Sequence, residues 1–345
     1  MRKSIHIGLQ YTLTTLLILG VSVSGFSQSE VSLDKKSINL ALDSAYAKYK
    51  DLKEGANANY IPALDEVPSE LFGIVLVTAD GRVYKIGDVD YAFSIQSISK
   101  VFTMAKVVEE KGPREVQDKI GVNPTGQVFN SIYPIEQHKG KGINPFVNPG
   151  AIATTSLIDG ESYDEKFNQI LAIHSAFAGR ELSVDQVIYE SEAATNQRNQ
   201  AIAMLLNSYE RIYNDPLESV DVYTKQCAIS ITCEDLGAMA GTLANGGLNP
   251  ITKEVVVSAS TVSYVLPIMT VAGLYDNAGF WLYHVGIPAK SGVGGGIIAV
   301  VPGKFGIAAF SPRLDEAGNS VRAQYAIYDI VKRLGVNPYL ITPED

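Results

Sequence analysis

The sequence predicts an α+β fold of three-layer α-β-α character, with one antiparallel sheet flanked by helices and a helical lobe inserted between its halves. Three observations carry this. Strand-like runs cluster at the two ends of the chain, the long middle is helical and loop in pattern, and tight turns rather than crossovers join the strands. The expected sheet lobe spans about 28–100 and 255–345 and the helical lobe about 101–254, within a single domain over 28–345.

From the amino end, Leu33 to Leu52 reads as an amphipathic helix. Ile38, Leu40, Ala41, Ala45 and Tyr46 recur at helical spacing, with Ser32 as the expected N-cap. Phe72 to Thr78 is a branched apolar run ending at Asp80-Gly81, and Arg82 to Gly87 returns beside it as a hairpin. Val101, Phe102, Ala105 and Val107 then mark a buried helix, and further helices are expected over Asp185–Glu190, Arg198–Tyr209, Ser219–Ala228 and Cys233–Ala244. Trp281 to Ile287 reads as a strand. Gly295–Val301 and Phe305–Phe310 form a second hairpin across Pro302-Gly303-Lys304, and Ala323–Leu334 closes the chain as a helix.

Composition narrows the function. Of 345 residues, 46% are hydrophobic and 19% charged, which is ordinary for a globular chain. Met1-Arg2-Lys3 precedes a stretch free of Lys, Arg, Asp and Glu up to Ser29, with Leu16-Leu17-Ile18-Leu19 inside it and small residues at its end. This is the layout of a signal peptide over 1–27, cleaved after Ser27, so export to the periplasm is expected. A retained membrane anchor fits less well, because serines and threonines interrupt the apolar run. Without Arg2 and Lys3 the basic count falls from 28 to 26 against 37 acidic residues, a net charge of -11. Such a chain suits neither nucleic acid nor an anionic membrane, and a small-molecule substrate is expected.

Cys227 and Cys233 have apolar neighbours, which favours packed thiols over a bridge. Past the signal peptide only His138, His174 and His284 remain, with no metal-ligand spacing. His284 reads as a sheet residue. The Gly292-Val293-Gly294-Gly295-Gly296 run leads into a strand rather than a helix, so it is not a phosphate loop.

The chemistry concentrates in two motifs. Ser97 lies three residues before Lys100 at the head of the apolar helix, and Lys290-Ser291-Gly292 enters the glycine-rich strand far downstream. A lysine one helical turn from a serine can take its proton if its pKa is lowered. This order of S-x-x-K and K-[ST]-G is that of penicillin-recognising enzymes and their relatives. Ser32-Leu33-Asp34-Lys35 is a second S-x-x-K match, but it has the composition of a helix cap, so Ser97 is the better nucleophile. Lys290 is expected to face the cleft and help depress the Lys100 pKa. Backbone N–H groups of Ser97 and Val293 are candidates for an oxyanion hole, and the Tyr275 phenol for a proton relay.

Along nearly the whole mature length the sequence resembles the serine-dependent glutaminases, which have a β-lactamase/DD-peptidase-like fold. The segments that carry the resemblance are Tyr60-Ile61-Pro62, Gln96-Ser97-Ile98-Ser99-Lys100, Asn144 to Ile152, Ser191-Glu192 with Arg198-Asn199, Val222-Tyr223 with Gln226-Cys227, Leu243 to Gly247, Gly273-Leu274-Tyr275-Asp276 and Pro288 to Val293. The resemblance implies conversion of L-glutamine to L-glutamate and ammonia, with Ser97 as nucleophile and Lys100 as base, assisted by Tyr275 and Tyr223. It implies substrate contacts from Tyr60, Ser97, Asn148, Glu192, Asn199, Tyr223, Tyr275 and Val293, no cofactor or metal, and a homo-oligomer, dimer or tetramer. One departure is Pro149, where the family usually has alanine; a proline there is expected to hold Asn148 in extended geometry. Two rival readings are a penicillin-binding or β-lactamase-type acyl-serine enzyme and a non-catalytic exported amino-acid-binding protein.

Overall fold

The computed structural model describes residues 33–139 and 143–341. The expected signal peptide, its cleavage site and the Ser32 cap lie outside the described residues. Among the described residues, eight strands form two sheets: β1 (Gly73–Thr78), β2 (Val83–Gly87), β3 (Phe93–Ser94), β4 (Ser183–Val184), β5 (Ile229–Ile231), β6 (Ala289–Ser291), β7 (Gly296–Val301) and β8 (Phe305–Phe310). The main sheet runs β2-β1-β8-β7-β6 and is antiparallel throughout, so the first strand of the chain pairs with the last. Both expected hairpins are present.

Alternation along the strands divides the core between two faces. Val75, Val77, Ile298, Val300, Ala308 and Phe310 point to the helical side. Their neighbours Ile74, Leu76, Ile297, Ala299, Ile307 and Ala309 pack under the helices Lys35–Tyr49 and Val321–Leu334. A sheet buried on both faces gives the three layers that the sequence predicts. On the helical side the helix Cys233–Ala244 lies directly on the sheet, because Gly237, Gly241 and Gly306 remove the side chains between them. A Cβ on Gly306 would stand 2.1 Å from the Ala240 carbonyl carbon, and one on Gly237 would stand 2.5 Å from Val75 Cγ1.

Two sequence expectations are corrected. Trp281–Ile287 is not a strand; Ala278–Val285 is a helix, ended by Gly286 in the left-handed region at φ 80°. Its aromatic and branched composition favours a strand, but Ala278, Trp281 and Val285 are spaced for one buried helical face, and His284 stands on that helix. The second concerns Asn148, which opens the helix Asn148–Thr155 rather than an extended segment. Proline is tolerated in a first helical turn, where its missing N–H has no helical acceptor in any case. The first helix is capped by Asp34, whose carboxylate accepts from Ser37 N. Both cysteines are buried free thiols.

The small sheet β3-β5-β4 escapes the sequence reading, and it is what presents the Ser97 turn. β3 pairs with β5, Ile95 N–H donates to Ile229 O at 2.9 Å, and the chain then turns through a short 3-10 helix, Gln96–Ile98, into the helix Ser99–Lys111.

Candidate active site

Ser97 therefore sits at the junction of a strand and a helix. Gln96, just before it, is held at φ 50°, a left-handed backbone that costs a non-glycine residue about 1–3 kcal/mol. The Ser97 hydroxyl is 3.0 Å from Lys100 Nζ, and Lys100 Nζ also donates to Asn148 Oδ1 at 2.8 Å. Asn148 connects the group: its Oδ1 accepts from Tyr223 OH at 3.2 Å and its Nδ2 donates to Asn199 Oδ1 at 3.0 Å. Placement at the start of its helix lets one amide face Lys100, Tyr223 and Asn199 together.

Lys100 is 1% exposed, and this burial pulls its pKa down to about 8. At that value a substantial part of the amine is neutral near pH 8 and able to accept a proton. Glu192 shows the opposite effect, its carboxyl being pushed up to about 7 by burial, while the hydrogen bond from Gln96 Nε2 at 3.1 Å opposes the rise. Burial also raises Tyr275 to about 12 and Cys227 to about 12, so phenol and thiol both keep their protons at neutral pH. His174, under the Ser97 helix, is held near 4 by burial and is no alternative base. Its ring nitrogens face Ile170 O at 2.7 Å and Ser99 O at 3.2 Å.

Tyr60, Ser97, Asn148, Glu192, Asn199, Tyr223 and Val293 line one cleft of about 100 Å³, with Tyr60 half exposed at 51% and the others buried. Tyr275 lies beside it at φ 55°, donates its hydroxyl to Ser291 O at 3.3 Å, and feels the Ser97 hydroxyl, which opposes the rise in its pKa. Val293 stands in the turn between β6 and β7, and its N–H has no acceptor among the described residues. That turn is pressed against Ser97: a Cβ on Gly292 would come within 3.3 Å of Ser97 N. Lys290 is completely buried, its Nζ donating to Gly273 O at 2.9 Å and Ser291 O at 2.6 Å, 4.2 Å from the centre of the Tyr275 ring. Burial first, and then repulsion from Lys100, hold Lys290 well below an ordinary lysine. The main cause at Lys100 is burial, and the direct contacts of Lys290 are with the surroundings of Tyr275.

Several participants were not singled out in the sequence as site residues. Gln96 orients Glu192, and Phe129 lines the cleft and packs on Tyr275 with ring centroids 5.0 Å apart. Beside the Ser97 turn, Gln226 Nε2 donates to Ser99 Oγ at 2.9 Å while its Oε1 accepts from Thr103 at 2.6 Å. Buried amides have no periodic signature; Gln96 and Gln226 fall within the segments that carry the family resemblance, but without a role attached to them.

The chain is similar to known proteins along most of its length. The family model described as Glutaminase matches residues 55–339. A glutaminase of Colwellia psychrerythraea is 53% identical over 300 residues, covering 87% of this chain and 96% of that protein. One from Brucella canis is 51% identical over 309 residues, covering 90% and 98%. Among solved structures, one described as the probable glutaminase ybaS superposes with a TM-score of 0.88 at 48% identity, covering 89% of this chain and 99% of that one. A crystal structure of Mglu in its tris and glutamate form gives a TM-score of 0.84 at 39% identity, covering 89% and 68%.

Proposed function

This chain belongs to the glutaminase family, and from that premise we propose that it hydrolyses L-glutamine through a Ser97–Lys100 dyad and a γ-glutamyl-serine ester. The observation that carries the proposal is the 3.0 Å contact between Ser97 Oγ and a lysine held near pKa 8 by burial. Neutral Lys100 takes the Ser97 proton as Oγ attacks the side-chain amide carbon. The oxyanion of the tetrahedral intermediate is received by backbone N–H groups of Ser97 and Val293. Collapse breaks the C–N bond, the leaving nitrogen takes the proton back from Lys100, and ammonia departs. Lys100 then deprotonates a water that attacks the ester, and as the C–O bond breaks it returns that proton to Ser97 Oγ, which releases glutamate and restores the dyad.

Selectivity follows from the rest of the cleft. Glu192 supplies the anion for the α-ammonium group, and pairing with a cation favours the ionised form that burial disfavours. Asn148, Asn199 and the hydroxyls of Tyr60 and Tyr223 serve the α-carboxylate and carboxamide. Tyr275 keeps its proton at neutral pH and donates it to Ser291 O in the resting site, so it stands beside Ser97 without being the base.

Hydroxylamine tests the ester. Turnover in its presence is expected to yield γ-glutamyl hydroxamate, with ammonia release exceeding glutamate formation. Equal ammonia and glutamate with no hydroxamate would overturn the covalent route. Export and homo-oligomer assembly belong to the same proposal; sequencing the mature N-terminus and sedimentation test them.

A further inference from the structure

A groove of about 500 Å³ lies among the helices Lys35–Tyr49, Ala278–Val285 and Val321–Leu334, and none of its lining residues belongs to the cleft of Ser97. Its volume is that of an ordinary small-molecule site. Its walls are aromatic. Phe280 packs on His284 with ring centroids 4.1 Å apart, Tyr49 stacks on Tyr325 at 5.5 Å, and Tyr328 stands beside them. Phe280 is 65% exposed, a large apolar area left open to water.

The charge lining the groove is net negative, with Glu54, Asp315 and Asp329 against Lys48. Asp329 is matched by Lys48 at 2.7 Å, but Glu54 and Asp315 make no ion pair among the described residues. Aromatic faces with uncompensated carboxylates attract cations and repel anions. A compact, weakly hydrated organic cation satisfies both features.

The groove also reaches the back of the catalytic cleft. Asp315 Oδ1 accepts from Asn319 N–H at 2.9 Å, Asn319 Oδ1 accepts from Ser291 Oγ at 2.6 Å, and Ser291 O accepts from Tyr275 OH. On the same segment a Cβ added to Gly318 would meet Val293 Cγ1 at 3.4 Å and the Tyr275 ring at 3.6 Å. Asn277, in the same short 3-10 helix as Tyr275, lines the groove. One segment therefore has Asp315 in the groove and Gly318 against the catalytic tyrosine.

We propose that this groove binds an organic ammonium ion carrying an aromatic or apolar group, and that its occupancy is transmitted to Tyr275 through residues 315–320. Binding is tested by titrating benzyltrimethylammonium into the full protein by calorimetry, with 3-phenylpropan-1-ol as the neutral control. Saturable binding of the cation alone is expected, weakened about tenfold by Phe280→Ala and again by Glu54→Gln. At saturation the Kd for glutamate is expected to shift about fivefold or more, glutamate to shift the affinity for the cation by the same factor, and the KM for glutamine to move with them. The turnover arm rests on the glutaminase reading. The calorimetric arm does not, so a failure of the groove is distinguished from a failure of that reading.

Absence of saturable heat, equal binding of the alcohol, or indifference to both substitutions would overturn the site. Tyr283 stands on the helix Ala278–Val285 and is 85% exposed; conversion of an oligomer to monomers by Tyr283→Asp would assign the face to a second copy of the chain and overturn it as well. Unchanged KM and kcat at saturation would overturn the link to Tyr275.

Discussion

Replacing Asn148 with aspartate preserves its shape and adds one buried negative charge against Lys100. The Asn148 oxygen is 2.8 Å from Lys100 Nζ, and both side chains are at least nine-tenths buried. At an effective dielectric of about 20, unit charges at that distance attract by about 6 kcal/mol. Desolvation of the new carboxylate offsets much of this, and an opposite charge at contact range typically moves a pKa by about 1–3 units. A rise of about 2 units would carry Lys100 from about 8 to about 10. The neutral fraction at pH 8 would fall from about one half to about one hundredth, and kcat/KM about fiftyfold. Ammonia release should be measured from pH 6.5 to 10.5. The expected result is a low rate at pH 8 that recovers in alkali, with the rising limb moved from near 8 to near 10. Loss of a substrate contact would lower the whole curve without moving it. A variant limb that stays near 8 would refute Lys100 as the base.

Gln96→Met removes the amide that opposes the rise in the Glu192 pKa, so Glu192 holds its proton to higher pH. KM should rise about tenfold at pH 7, and the gap from wild type should narrow by pH 9. Lys290→Met should lower kcat about tenfold by loosening the surroundings of Tyr275, yet leave the pH limb within about half a unit of wild type, because burial sets Lys100. Gly306→Ala should destabilise the fold by about 1–3 kcal/mol, read as a lower thermal midpoint, because the new methyl meets the backbone at Ala240 and Gly241.

The sheet was legible in the sequence because its strands are short apolar runs between recognisable turns, as at Asp80-Gly81 and Pro302-Gly303-Lys304. The Ala278–Val285 helix was not, since Trp, Tyr and Val carry strand composition while the helix is specified by tertiary packing and by Gly286. Strands as short as Phe93–Ser94 and Ser183–Val184 have too few residues for any period to show. In the site, Ser97 and Lys100 were readable from their three-residue spacing, Tyr275 as a candidate proton relay, and the distant Asn148, Glu192, Asn199 and Tyr223 only through family resemblance. The supporting amides of Gln96 and Gln226 and the Asp315–Asn319–Ser291 chain join residues far apart in sequence and become visible only in three dimensions.

Central to the account is the claim that the Ser97 hydroxyl is the nucleophile, and glutamine turnover by Ser97→Ala tests it most directly. The account predicts an unchanged fold by circular dichroism and a loss of ammonia release of at least about 10⁴-fold at every pH. Turnover within tenfold of wild type would contradict it.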